Sequence, residues 1–302
     1  MSLLNNKKRI LITGASGLLG YFWINKMFKE FEIILVFHQR QLNYKNLKSI
    51  QVDLFNFDEI VNQIKKLNIH IVINLAGISN VEKCENYPDL AFAVNQKLAS
   101  IVAKACRTTN TKVIHISTDH LFGSENKSYT ENDIPILVNN YAKSKYWGEC
   151  EVLSENPKAL VCRTNFFGKG PKHRVSLSDW IIKDLTNNEI INLFDDVCFS
   201  PIIGFKVPEY AHKLLDLGAS GIYNISSDDV VSKYKFGEYI ASAFNLSKRL
   251  INKSSIKRRK DLTIRPLSMG LSNKKASQIL NQSFGKVIDH VALLYEQTES
   301  KI

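Results

Sequence analysis

Tyr141 and Lys145 stand four residues apart in Tyr141-Ala142-Lys143-Ser144-Lys145, a spacing that puts both side chains on one face of a helix. A free tyrosine titrates at about 10, so it exchanges protons poorly at neutral pH until a cation sits beside it. A lysine one helical turn away supplies that cation and is expected to lower the phenol. Upstream, Ser117-Thr118-Asp119 follows an apolar run at residues 112–116. In an open parallel sheet ligands sit at the carboxyl ends of strands, which places the Thr118 hydroxyl to hold a substrate oxygen against the tyrosine. A Tyr/Lys pair at this spacing is common on exposed helices; its meaning depends on the elements that position it.

Those elements begin almost at once. Residues 8–13 (KRILIT) form an apolar strand that runs into Gly14-Ala15-Ser16-Gly17-Leu18-Leu19-Gly20 and then a helix to about residue 28. Strand, glycine turn and helix are the context of a phosphate-binding loop. Gly14 permits the turn, Gly17 lets backbone approach a pyrophosphate, and the helix start favours the diphosphate charge. The second strand, residues 32–37, ends in His38-Gln39-Arg40, where an NAD-selective site carries an acid. Arg40 there faces a 2′-phosphate, pointing to NADP, or is a solvated loop arginine. Asp53, closing a third strand at 48–52, is placed for an adenine amino group or as a cap of the helix at 58–67.

A fourth strand at 70–74 leads into Leu75-Ala76-Gly77, small enough for a cofactor to lie against. Residues 88–107 read as one long amphipathic helix. Asn95 lies near its apolar side, and a buried Asn needs partners, so it is expected to tie strand ends together. The helix carrying Tyr141 and Lys145 spans about 140–155, and a sixth strand covers 159–164. This repeated βαβ pattern predicts a doubly wound parallel sheet of the Rossmann type with about seven strands. The expected boundary is the basic turn 168–174. Residues 1–167 then form the dinucleotide-binding domain, with a returning strand near 221–225, and 168–302 mainly a smaller, mostly helical substrate lobe. In that lobe 196–203 reads as irregular and 248–260 as a cation-rich helical stretch.

Bulk properties agree with a soluble enzyme. The 302 residues carry a formal net charge of +11, which favours an anionic partner or reflects solvated surface lysine. The run Lys257-Arg258-Arg259-Lys260 has no aromatic interleaving of the kind a nucleic-acid groove needs, and a nucleic-acid partner is not expected. A diphosphate contact from these cations, or from Lys172 and Arg174, is the alternative to solvation. No apolar run approaches the roughly 18 residues of a membrane span. The five scattered cysteines suit a reducing compartment and match no metal spacing. A cytoplasmic, metal-free protein is expected.

Assembled in order, these segments resemble the extended short-chain dehydrogenase/reductase family, and within it the dTDP-4-dehydrorhamnose reductase branch. The matching residues are TGASGLLG at 13–20, VINLAG at 72–77, ISTDHLFG at 116–123, YAKSK at 141–145, RTNFFG at 163–168 and RPLSM at 265–269. The resemblance implies a catalytic set of Thr118, Tyr141 and Lys145. It implies cofactor contacts from Gly14, Ser16, Gly17, Leu18, Leu19, Arg40, Asp53, Leu54, Leu75, Ala76, Gly77 and Asn95, with Tyr141 and Lys145. It implies substrate contacts from His120, Asn165, Phe166 and Arg265. The chemistry implied is NADPH-dependent reduction of a keto group on a nucleotide-linked sugar, with NAD as the other cofactor and a homodimer as the expected assembly. The alternatives are an epimerase or dehydratase of the same family and a non-catalytic NADP-binding regulatory subunit. His120 and Phe166 depart from the branch, which has Tyr and Trp there, and no clear Asn-Phe segment follows Gly168.

Overall fold

The computed structural model describes residues 7–37, 44, 47–123, 128–171 and 173–299. Its centre is a seven-stranded sheet: β1 (Arg9–Thr13), β2 (Glu32–Phe37), β3 (Lys48–Gln51), β4 (Ile71–Asn74), β5 (Lys112–Ile116), β6 (Leu160–Thr164) and β7 (Gly221–Ile225). Every pairing is parallel, in the order β7-β6-β5-β4-β1-β2-β3. The order reverses at β1, whose neighbours are β2 and β4. That switch point, at the carboxyl ends, is where a ligand crevice opens.

Strand residues alternate between two buried faces, which is why the runs are continuously apolar. Ile10, Ile12, Ile33, Leu35, Ile73 and Ile114 point to one side. Leu11, Ile34, Val36, Val72, Val113 and Val161 point to the other. The second face is covered by α2 (Phe57–Lys66) and α3 (Leu98–Thr108), with Val152 of α4 (Asn140–Glu155). The first is covered by α1 (Leu18–Met27), through Leu19, Phe22, Trp23 and Met27. Its remaining cover comes from far along the chain: Val207, Tyr210, Leu214 and Leu215 of α6 (Lys206–Asp216), Ala276 of α8 (Lys274–Leu280), and Phe284.

Two glycines set the geometry near the crevice. Gly14 has φ +64°, and a Cβ there would lie 2.6 Å from the Leu75 carbonyl carbon and the Ala76 nitrogen, so the turn after β1 nests against the end of β4. A Cβ on Gly148 would lie 2.2 Å from the Asn95 carbonyl oxygen, so α4 seats directly on the helix before it. That helix is not uniform. It runs α-helical over Pro88–Phe92, passes through a π-helical turn at Ala93–Lys97, and resumes as α3. Such turns cluster at functional sites, and this one contains Asn95.

A separate hydrophobic cluster packs α5 (Leu177–Thr186), α7 (Lys233–Ala243) and α9 (Val287–Glu299) around Phe167, Phe199, Phe236 and Ile240. Residues 248–260, expected to be helical, are not. A 3₁₀ turn at Lys248–Leu250 leads into the strand Ile251–Ser254, which pairs in parallel with Ile191–Phe194, and a second 3₁₀ turn follows at Ile256–Arg258. Asp196 fixes that change of direction by accepting from the Ser255 hydroxyl and the Ile256 N–H. The stretch 196–203, expected to be irregular, holds two short strands: Cys198–Phe199, between Val231–Ser232 and Ser268–Met269, and Ile202–Ile203, beside Phe166–Phe167.

Candidate active site

Asn139 starts the site. Its side chain caps α4 by accepting the Ala142 N–H at 2.8 Å, satisfying one of the orphan donors of the first turn. Its Nδ2 donates to the Ile264 carbonyl at 2.8 Å and lies 3.1 Å from His120 Nε2. One residue later α4 begins, and Tyr141 and Lys145 fall on its inward face. Lys145 Nζ donates to the Ile116 carbonyl at 2.7 Å, at the end of β5. Thr118 Oγ1 accepts the His120 N–H at 3.2 Å, donates to Asp119 Oδ1 at 3.4 Å, and lines the same cavity as Tyr141. The structure therefore brings Thr118, Tyr141 and Lys145 together from two elements. Asn95 holds the arrangement from behind: its Oδ1 accepts the Ile78 N–H at 2.7 Å, and its Nδ2 donates to the Ile78 carbonyl and to Ser144 Oγ, each at 3.0 Å.

Burial governs the charges here. Lys145 is lowered to about 8, chiefly by desolvation and partly offset by Glu149, so it remains mostly cationic at neutral pH. His120 is lowered to about 3, by burial first and then by the charges of Arg265 and Lys233. Asp119 is pushed up to about 7 by burial, against a 2.7 Å hydrogen bond from Asn165 Nδ2 and the charge of Lys233. Tyr141 is raised above the ordinary phenol value, because desolvation outweighs the lowering effect of the nearby Thr118 hydroxyl. The expectation that Lys145 lowers it is corrected: in the structure desolvation is the largest effect and the phenol stands above its ordinary value.

Two cavities meet at these residues. A cleft of about 530 Å³ runs from the glycine turn to the tyrosine, lined by Gly14, Ser16, Gly17, Leu18, Leu19, Leu75 and Gly77, with Thr118, Tyr141 and Lys145 at its end. Asn165 and Phe166 also border it, and Arg174 closes one side by donating from Nε to the Ser16 carbonyl at 3.2 Å. Ala76 sits behind the wall, its N–H on Thr13 Oγ1 and its side chain against the sheet's second face. Asp53 lies outside the lining. It is exposed and accepts the Phe55 N–H at 2.9 Å, while Asn56 caps α2, and Leu54 packs on the core. Arg40 and Lys172 lie outside the described residues.

A second cavity, about 190 Å³, opens beyond Tyr141 and is lined by Thr118, Asp119, His120, Asn165, Lys233 and Arg265, with apolar walls from Val81, Val197 and Met269. Sequence reasoning missed Asp119, Asn139 and Lys233. Asp119 had a signal, adjacency to Thr118. Lys233 had none, because only tertiary folding brings the start of α7 to this wall. Among the described residues no group of three or more His, Cys, Asp or Glu could hold a metal ion, and no helix is long and apolar enough to cross a membrane.

A doubly wound sheet with a glycine turn after β1, and a Thr–Tyr–Lys set at the end of β5, defines the extended short-chain dehydrogenase/reductase class. Within it, the chain belongs to the RmlD substrate binding domain family, which matches residues 8–299. It is 29% identical over 247 residues to the probable low-salt glycan biosynthesis reductase Agl14 of Haloferax volcanii, covering 80% of this chain and 82% of that one. It is 29% identical to a dTDP-4-dehydrorhamnose reductase of Aggregatibacter actinomycetemcomitans, covering 76% of each. It is 28% identical to methionine adenosyltransferase 2 subunit beta of Rattus norvegicus, covering 79% of this chain and 73% of that one. The fold superposes on a dTDP-4-dehydrorhamnose reductase of Bacillus anthracis with a TM-score of 0.84 at 24% identity, over 96% and 98% of the two chains.

Proposed function

We propose that the protein is an NADPH-dependent reductase of a nucleotide-activated keto-sugar, of the dTDP-4-dehydrorhamnose reductase kind, acting in deoxysugar or cell-surface polysaccharide synthesis. The observation that carries this reading is that Thr118 and Tyr141 border both cavities at once. A dinucleotide in the larger cleft and a sugar in the smaller one would meet at these two hydroxyls. The larger cleft suits such a group: Ser117 Oγ and Thr164 Oγ1 are buried there without hydrogen-bond partners among the described residues, and a side chain on Gly14 would clash with the end of β4. NADPH supplies a hydride when bound, and NAD is the alternative cofactor. Thr118 orients the substrate carbonyl. Tyr141 donates the proton as the carbonyl oxygen gains charge. Lys145 holds the cofactor ribose and stabilises the phenolate left behind.

The convergence of Thr118, Tyr141 and Lys145 on the meeting point of the two cavities favours a reductase over a non-catalytic binding subunit. The five free cysteines accord with a cytoplasmic location. Exposed Tyr87, Leu90 and Trp147 on neighbouring helices suit a homodimer, which light scattering would test. The direct test of function is NADPH absorbance followed with dTDP-, UDP- and GDP-linked 4-keto-sugars. Turnover with one of them supports the reading. Tight cofactor retention without net NADPH loss would favour the epimerase or dehydratase alternative, and no turnover together with a stable complex with another enzyme would favour the binding subunit.

A further inference from the structure

The charges facing the smaller cavity do not cancel. His120 is held neutral by burial. Asp119 is already engaged by Asn165. Arg265 gives its Nη2 to Glu82, but its Nε is buried without a hydrogen-bond partner among the described residues. The Lys233 ammonium has no hydrogen-bond partner among the described residues either; Asp119 acts on it only through space.

The position of Lys233 is costly. It is the first residue of α7, whose N-cap Ser232 accepts the Lys235 N–H at 3.1 Å. A cation at a helix N-terminus opposes the helix dipole. Burial, and then the nearby Arg265 charge, press in the same direction. A half-buried ammonium without a hydrogen-bond partner among the described residues, lining the same cavity as the buried, unpartnered Nε of Arg265, marks a place prepared for oxygen acceptors that carry negative charge.

Resting on the proposed function, we infer that Lys233 and Arg265 hold an anionic group of the substrate at the far side of the sugar cavity. That group is a carboxylate on the sugar ring or the diphosphate joining sugar to nucleoside. Because the cavity also contains Thr118 and Tyr141, the anionic group sits within about one sugar ring of the reacting carbonyl. Lys233 is thus a specificity-determining residue for the reaction, recognising the substrate's charge and taking no part in proton transfer.

The test is calorimetric binding of dTDP, dTDP-glucose, UDP-glucose and UDP-glucuronate to the full chain with NADP⁺ present. Wild type is compared with Lys233→Met and with Lys233→Arg, which keeps the charge. If the diphosphate is the group held, Lys233→Met weakens every ligand by a similar factor, at least tenfold. If a sugar carboxylate is held, Lys233→Met weakens UDP-glucuronate at least tenfold and leaves UDP-glucose unchanged. In either case Lys233→Arg retains most of the affinity, and NADP⁺ binding is unaffected. Wild-type affinity of Lys233→Met for all four ligands overturns the inference and leaves the proposed function standing. Failure of wild type itself to bind any of the four overturns both.

Discussion

The Lys145 ammonium donates to the Ile116 carbonyl at 2.7 Å, so the lysine of α4 is tied to the last residue of the strand that delivers Thr118. The two halves of the site are therefore one mechanical unit. Lys145→Ala removes the cofactor-facing cation and also strands a buried carbonyl. NADPH affinity and turnover both fall, and unfolding stability drops by about 1–3 kcal/mol, read by urea titration of the cofactor-free protein. A loss of turnover with unchanged stability would contradict the tie to Ile116.

Tyr141→Phe keeps the ring and its 5.4 Å edge contact with His120 but removes the hydroxyl. NADPH binding is retained, while kcat falls by roughly 10²–10⁴, the size of a general-acid contribution. Wild-type turnover of a verified keto-sugar would remove Tyr141 from the chemistry.

Asp119 titrates at about 7 in the fold, well above an unfolded aspartate at about 3.9. Between those values the folded state holds a proton that the unfolded state has lost. Its contribution is therefore fully present below about pH 4 and is lost as pH rises to about 7. Asp119→Asn stops this loss. The stability of the variant relative to wild type rises across that window, by at most about 1.4 kcal/mol per pH unit, and is flat above it. Paired denaturant curves from pH 4 to 8 check this, and a pH-independent difference would place the carboxyl elsewhere.

Arg163 and Glu149 form a buried pair at 2.7 Å, with side chains 2% and 1% exposed. Glu149→Ala leaves the guanidinium buried and uncompensated, a change that costs about 3–5 kcal/mol. Thermal unfolding should show a correspondingly large drop, and a small one would mean that water reaches Arg163.

Arg40 is proposed from the sequence to face a cofactor 2′-phosphate. Arg40→Ala should weaken NADPH by about 1.5–3 kcal/mol, the worth of a charge-assisted hydrogen bond, and spare NADH. Equal losses for both cofactors would exclude that role.

The sheet was legible because strands buried on both faces read as nearly continuous apolar runs, as at 10–12 and 33–36, and because Gly14 and Gly17 punctuate the first junction. The helix 140–155 was legible from its spacing, although its cap, Asn139, was not recognised. Residues 248–260 misled because lysine and arginine suit a helix locally. Their strand pairing with Ile191–Phe194 is a contact some 60 residues away that no local pattern records. The same limit hid Lys233. The sign of the Tyr141 shift was unreadable for another reason: spacing places a lysine nearby, but only packing decides whether desolvation exceeds its effect.

The two faces of the central sheet are completed at different moments of synthesis. The face under α2, α3 and α4 draws almost wholly on residues up to Val161. The face under α1 waits for Val207 to Leu215, Ala276 and Phe284. At about 5–20 residues per second, roughly 6–24 s separate translation of β6 from that of Phe284. Through that interval the nascent chain presents isoleucine and tryptophan surface to the surrounding medium. Premature termination before Val207 leaves this face covered by α1 alone, a form for chaperones and proteases to remove.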